Sequence, residues 1–503
     1  MATPIREIVL TNSMSGKKEK LHTLKPGKLT LYSCGPTVYG FIHIGNLRAA
    51  LVSDLFFRYL KKAGYAVTYV RNYTDVDDKI IKRAHEENTT LEEITKKYIL
   101  EVEKDYSSVG MIDPTHKTTV TAHIPHIVQM IEKILKNGHA YVVEGEVLFS
   151  IQSFKGYGKL SHKNIDELMA GARVEVSEKK KNPLDFTLWK PAKSGEPAWD
   201  SPWGKGRPGW HIECSAMSSR WLGDQIDLHH GGEDLAFPHH ENEIAQSEAA
   251  SGKSPFVSYW LHNAFVNLSN EKMSKSLGNV MLARDFITKY GAEVSRYLLL
   301  SPHYRSIIDF NEETLEHALV ALHRVYEAKA KALDLRGAKI GASNPNAEAL
   351  WNLFVTSCEK TRDTMAAHLA NDFNVPGCLA DFFVLIRDFN RTLASRGAEN
   401  TPGALKGAAA LICIMEDEVG GILGIGKSEP KSMLKELTRI RSERSIGDGT
   451  VRPADEEIQQ LIQARANARQ SKQFEEADRI RKDLESRGVR IKDNAGGTTW
   501  EYI

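Results

Sequence analysis

Cysteine is scarce in this chain: five residues, at positions 34, 214, 358, 378 and 413, are scattered through 503. Such spacing excludes the framework of a small disulfide scaffold and fits a reduced intracellular protein. No apolar run approaches the length that spans a bilayer, and the N-terminal stretch lacks the charged-then-apolar layout of a secretory signal. A cytoplasmic protein with no membrane segment is therefore expected. Net charge is nearly absent too, with 66 basic against 65 acidic residues. That balance removes a global field for a polyanion, although a local basic groove can form on a neutral protein. There is no internal repeat and no low-complexity tract. Length does provide room, since 503 residues suffice for two or three domains with substantial cores.

The stretch from Lys28 to Asn72 reads as one unit. Leu29 to Ser33 alternates like a strand and ends in a Cys-Gly-Pro breaker. Leu47, Leu51, Leu55 and Tyr59 recur every four positions, which marks a helix ending at Gly64, and Ala66 to Val70 follows as a strand. Strand, helix, strand at this length predicts a parallel sheet with ligands at the carboxyl ends of its strands. A second α/β block runs from Trp210 to Ser301. Between the blocks, residues 112–209 read as an insertion rich in Gly, Pro and Lys. Long amphipathic runs follow at His317–Leu335 and Ala347–Arg396. Glycines 420, 421, 424 and 426 with Pro430 predict a linker, and a terminal module carries a helix from Gln473 to Arg487 with short strands after it. The expected fold class is α/β: a Rossmann-type catalytic domain over 1–310 split by the insertion, a helical bundle over 311–430, and a small α+β module over 431–503.

Chemistry concentrates in a few stretches. In "FPHHENEIAQ", His239 and Glu243 stand four apart and share a helical face, with His240 and Glu243 as the weaker pairing. A histidine and a carboxylate are half of a first-row metal site, and Cys34 and Cys214 are candidates for the other half, a set suited to tetrahedral Zn²⁺. "KMSKS", Lys272 to Ser276, packs two lysines and two serines into a loop able to fold around a polyphosphate. "HIGN", His43 to Asn46, opens the first helix, where free N–H groups and the dipole favour anions and Gly45 permits close approach of a flat base.

The last two motifs resemble the signature pair of class I aminoacyl-tRNA synthetases. With "YSCGPTVY", "RNYTDVDDKIIKRA", "RPGWHIECSAM" and "FPHHENEIAQ", the chain resembles the cysteinyl-tRNA synthetases, densely over residues 30–310 and more loosely through "NDFNVPGCL" and "GTTW". The resemblance implies one Zn²⁺ held by Cys34, Cys214, His239 and Glu243, with His240 as a neighbour. It implies an amino-acid pocket lined by Gly35, Thr74 and Trp210, although Trp210 suits a core equally well. ATP, accompanied by Mg²⁺, would meet His43, Gly45, Asn46, Asp234 and Lys275, with Lys272 assisting. L-cysteine and tRNA(Cys) are the implied partners, the terminal module the implied anticodon reader, and a monomer the implied state. Two departures stand out: Asn46 replaces a histidine of many relatives, and His230 replaces a common glycine. Competing readings are a ligase of the same superfamily joining cysteine to an amino sugar, and an inactive paralogue that only binds RNA.

Overall fold

The computed structural model describes residues 6–162, 179–269, 271–272, 280–339, 341, 344–443, 453, 455–471, 473–494 and 497–502. Contacts divide the chain into two units: Met1–Asn311 with Thr356–Leu385 and Asp417–Ile425, and Glu312–Val355 with Ile386–Glu416 and Gly426–Ile503.

The first unit is organised by a parallel sheet. Strand β1, Lys28–Ser33, buries Leu29, Leu31 and Tyr32 completely, as a strand covered on both faces should. Helix α1, Ile44–Lys62, buries Leu47, Leu51 and Leu55 along one stripe; each such side chain contributes about 1.5–3 kcal/mol relative to exposure. The helix gives way at Gly64, whose φ of 97° suits only glycine. Strand β2, Ala66–Tyr73, then runs parallel to β1 with Leu29 opposite Val67. Strands β3 (His116–Thr119), β4 (Ile226–Gly232) and β5 (Val257–Asn263) complete the order β5-β4-β1-β2-β3, parallel throughout.

The sheet grows from β1 toward β3 on one side and from β4 to β5 on the other. Between β1 and β4 the connections therefore part in opposite directions, opening a crevice beyond the strand ends. Helix α2, Trp210–Leu222, and helix α3, Glu241–Ser251, pack beside it. A short strand, β6 (Val266–Leu268), follows β5 and pairs with both Glu271–Lys272 and Ile308–Phe310.

Three readings of the sequence need correction. Strand β3 lies inside 112–209, so the parallel sheet reaches into the stretch read as an insertion; there, Ala140–Val143, Glu146–Phe149, Phe186–Pro191 and Gly206–Pro208 form a separate antiparallel sheet. The amphipathic run 347–396 is two helices, Pro345–Ala370 and Val375–Leu393, broken where Asp372 and Phe373 take φ of 60° and 50°. The Asp372 carboxylate holds that break, accepting from Thr11 N at 2.9 Å and Tyr304 OH at 2.7 Å. Finally, the glycines at 420 and 421 are not a linker. Ile414–Leu423 is a wide-turned helix whose Ile414, Met415, Val419 and Leu423 are wholly buried, and only Gly424 and Gly426 form a turn.

In the second unit Trp351 is wholly buried, donating its indole N–H to Ala398 O at 2.9 Å, and a Cβ on Gly407 would lie 2.3 Å from its ring. Near the C-terminus, helix Phe474–Ser486 and the hairpin Val489–Asn494/Gly497–Tyr502 close a small core of Ile458, Leu484, Val489 and Ile491.

Candidate active site and metal centre

The crevice holds a cavity of about 460 Å³. Cys34 and Gly35 enter it from the end of β1, His43, Gly45 and Asn46 from the start of α1, Gly231, Gly232 and Asp234 from the end of β4, and Trp210 from the start of α2. Gly35 is required at its place: a Cβ there would lie 1.6 Å from Asn72 O, and its N–H donates to Asn72 Oδ1 at 2.9 Å.

Cys34, Cys214, His239 and Glu243 converge, their ligand atoms all within 4.8 Å of one another. Cys34 Sγ lies 3.7 Å from Cys214 Sγ, 3.6 Å from His239 Nε2 and 3.6 Å from Glu243 Oε1, while His239 Nε2 and Glu243 Oε1 stand 3.0 Å apart. Two sulfurs each about 2.3 Å from a tetrahedral centre sit about 3.8 Å apart, and a sulfur and an imidazole nitrogen about 3.6 Å apart. The donor chemistry and the three edges from Cys34 Sγ suit a four-coordinate zinc site, while the 3.0 Å between His239 Nε2 and Glu243 Oε1 is a hydrogen-bond distance. Cys214 and Glu243 are buried, as is His239, in a π-type turn just before α3.

Surrounding groups orient these donors. His229, wholly buried in the middle of β4 and stacked on Trp260, meets the other oxygen of Glu243 at 3.0 Å. His211 Nδ1 meets His239 Nδ1 at 3.0 Å, leaving Nε2 directed at Glu243. His240 Nε2 is also 3.6 Å from Cys34 Sγ, and its Nδ1 contacts His262 Nε2 at 2.8 Å. A second group, Cys34, His229, His240 and Glu243, meets the same 4.8 Å limit. Electrostatics follow from this crowding. Burial would raise Glu243, but His229 and His239 overcome it and hold the carboxylate at about 2. Burial drives Cys34 well above the usual thiol range, whereas the hydrogen bond between the two thiols draws Cys214 down to about 6.

At the start of α1, His43 Nδ1 accepts from Asn46 N at 3.3 Å while Asn46 Oδ1 accepts from His43 N at 3.2 Å. This reciprocal cap forces the His43 proton onto Nε2. Burial pushes His43 below the usual imidazole range and Asp234 opposes that shift. Asp234 itself is exposed on the cavity wall. His230 fits where glycine is common because its Nδ1 meets Ser53 Oγ at 2.7 Å and its ring stands edge-on to Phe56; burial pushes its pKa down to about 3.

Trp210 is 42% exposed, so it is not core; its ring lies over His239 with centroids 4.4 Å apart. Thr74 is buried with its hydroxyl 3.4 Å from Glu213 Oε2, and Thr37, bridged to it, lines the cavity. Lys272 ends a short strand paired with Asn267, and Lys275 lies outside the described residues. Reading by sequence missed His229, His211 and His262 as members of the cluster. Two histidines in a strand just before a glycine pair were a usable signal for the first; the others carry none.

Comparison with known proteins places the chain in a family. The family described as tRNA synthetases class I (C) catalytic domain matches residues 20–320, and the cysteinyl-tRNA ligase anticodon binding domain matches residues 453–500. Cysteine–tRNA ligases of Geobacter metallireducens and Geobacter sulfurreducens are each 46% identical, covering 97% of this chain and 98% of theirs. Among solved structures, methionyl-tRNA synthetase of Mycobacterium tuberculosis with methionyl-adenylate shares the fold at TM-score 0.57 and 13% identity, over 82% of this chain and 93% of that one. The LeuRS of Agrobacterium radiobacter K84, in a ternary complex, does so at 0.56 and 12%, over 83% and 86%. With the crevice, the donor set and this similarity along nearly its whole length, the chain belongs to the cysteine–tRNA ligases, in the class I synthetase family.

Proposed function

We propose that this enzyme activates L-cysteine with ATP and transfers it to the 3′ end of tRNA(Cys). A cysteine carboxylate oxygen attacks the α-phosphorus of ATP and pyrophosphate leaves; a hydroxyl of the terminal ribose then attacks the adenylate carbonyl and AMP leaves. No protein nucleophile is needed. His43 donates from Nε2 and Asn46 from its amide to the phosphates, at the positive end of α1, with Lys272 and Lys275 supplying charge as pyrophosphate forms. Gly45 admits the nucleotide, and Asp234 accepts from its ribose. Gly35, Thr74 and Trp210 enclose the amino acid. Mg²⁺ accompanies the ATP.

Cys34, Cys214, His239 and Glu243 would hold one Zn²⁺. Bound there, zinc offers a soft cation that lowers the thiol pKa of cysteine and rewards sulfur over a serine hydroxyl. Shape alone separates such near-isosteres by only about 10- to 200-fold. The spacing of these four donors is the observation that carries the reading.

Among the described residues no helix is long and apolar enough to cross a membrane. We assign the enzyme to the cytoplasm, as a monomer, with the 431–503 module reading the anticodon.

The test is cysteine-dependent ATP–pyrophosphate exchange, then charging of tRNA(Cys). Cys214→Ser is expected to lower bound zinc and raise the KM for cysteine together. If neither moves, Cys214 is not a ligand. Exchange without any charging would favour the amino-sugar ligase instead.

A further inference from the structure

Arg48 lies in α1, two residues beyond Asn46, and is wholly buried. Among the described residues its guanidinium meets no carboxylate. Nη1 donates to the carbonyls of Ala264 at 2.7 Å and Phe265 at 2.8 Å; Nη2 donates to Ser306 at 2.6 Å and more loosely to Tyr304 at 3.3 Å and His303 at 3.4 Å. Nε has no hydrogen bond to any described residue. Burial moves the group down to about 10 with no carboxylate offsetting the shift, so it stays charged at neutral pH.

This differs from Arg296, another buried arginine of the unit. Arg296 also reaches carbonyls, of Leu423 at 2.7 Å and Val109 at 3.0 Å, but it is neutralised by Asp54 at 2.8 Å. A buried cation satisfied only by carbonyl dipoles is costly, and the place where Arg48 sits gives it a use. Ala264, Phe265 and Val266 form one part of the cavity wall; Gly45, Asn46 and Ala49, from the helix that carries Arg48, form another. Val266 begins β6, which pairs through Asn267 with Lys272. One side chain therefore ties the helix start to the strand that leads into the lysine-rich loop.

We propose that Arg48 is a positioning residue for ATP: from behind the cavity wall it clamps Ala264 and Phe265 to α1, and so holds in place the two sides between which the triphosphate would sit. The proposal rests on the reading of this cavity as the nucleotide site.

Full-length Arg48→Lys, Arg48→Met, Asn46→Ala and Arg296→Lys are compared by cysteine-dependent ATP–pyrophosphate exchange, zinc content and melting temperature. Arg48→Lys keeps the charge but not the fork of donors. It is expected to raise the KM for ATP about tenfold, the effect of losing a charge-assisted hydrogen bond, while the KM for cysteine and the zinc content stay put. Arg48→Met should raise it further; if that variant does not fold, Arg48→Lys decides. Arg296→Lys should lower the melting temperature without moving the KM for ATP. An unchanged KM for ATP in Arg48→Lys, with the KM raised in Asn46→Ala, overturns the proposal and spares the nucleotide site. No change in either overturns both. A parallel rise in both KM values, or the same rise in Arg296→Lys, reduces Arg48 to a structural brace and also overturns it.

Discussion

Asn46 and His43 cap each other: the backbone N–H of each donates to the side chain of the other, at 3.3 and 3.2 Å. The usual reciprocal cap pairs a serine or threonine with glutamate or glutamine. Here an imidazole and an amide do the work on the wall of the cavity. The pairing consumes His43 Nδ1 and Asn46 Oδ1, and the donor atoms His43 Nε2 and the Asn46 amide nitrogen take no part in it, which is what the proposed phosphate contact requires. Asparagine in place of histidine thus keeps both the cap and a donor.

Asn46→Asp separates those two jobs. It retains the acceptor oxygen and adds negative charge in the first turn, so the melting temperature should hold or rise. The same charge faces the nucleotide, and exchange should weaken by about tenfold or more through the KM for ATP. Asn46→Ala should instead lose about 1 kcal/mol of stability along with ATP affinity. Calorimetry and exchange kinetics on the two variants check this; equal ATP binding by Asn46→Asp would remove the residue from the phosphate site.

His229 orients Glu243 through the 3.0 Å contact with Oε2. A partner of this kind typically alters metal affinity by about 10- to 100-fold when removed. His229→Gln should therefore weaken zinc binding and raise the KM for cysteine, with the KM for ATP unaffected. Competition with a chromophoric chelator measures the first quantity. An undiminished zinc affinity would show that Glu243 holds its place unaided.

In the terminal module, Arg465 grips both oxygens of Asp493 at 2.8 and 2.9 Å, and Arg469 and Thr498 add contacts at 2.7 Å. Arg465, then Thr498, hold the Asp493 carboxyl well below its ordinary range. A carboxyl depressed in the folded state stabilises above its unfolded pKa, near about 3.9, and that contribution is lost as pH falls further. Amide protection of Val489–Asn494 should be flat from about pH 8 to pH 5 and decline below about pH 4. The decline should be modest and shrink in salt, because the pair is partly exposed. Hydrogen exchange on the full chain measures it. Asp493→Asn should flatten the profile, and a decline of the same size in that variant would assign it to other groups.

Punctuation misled the sequence reading in definable ways. Glycines at 420 and 421 looked like a linker because two small residues outvoted the apolar residues around them, which Val419 and Leu423 spend in burial. The break at Asp372 had no local signal; non-glycine residues hold positive φ there because Thr11 and Tyr304, distant in sequence, bind the carboxylate. Arg465 and Arg469 find their carboxylate partner only because the hairpin brings Asp493 to their helix.

What the sequence determined unaided was local: the strand–helix–strand unit from Lys28 to Asn72, the helix start at His43, and the His239–Glu243 pair four residues apart. These follow from periodicity and capping, which act within a turn or two. Only the tertiary structure decided that Cys34 meets Cys214, that His229 steadies Glu243, and that Arg48 reaches the carbonyls of Ala264 and Phe265. Those contacts depend on strand order in the sheet, which sets Cys34 against Cys214 and Arg48 against Ala264 across 180 and 216 positions and His229 against Glu243 across 14, and leaves no periodic trace in the chain between them.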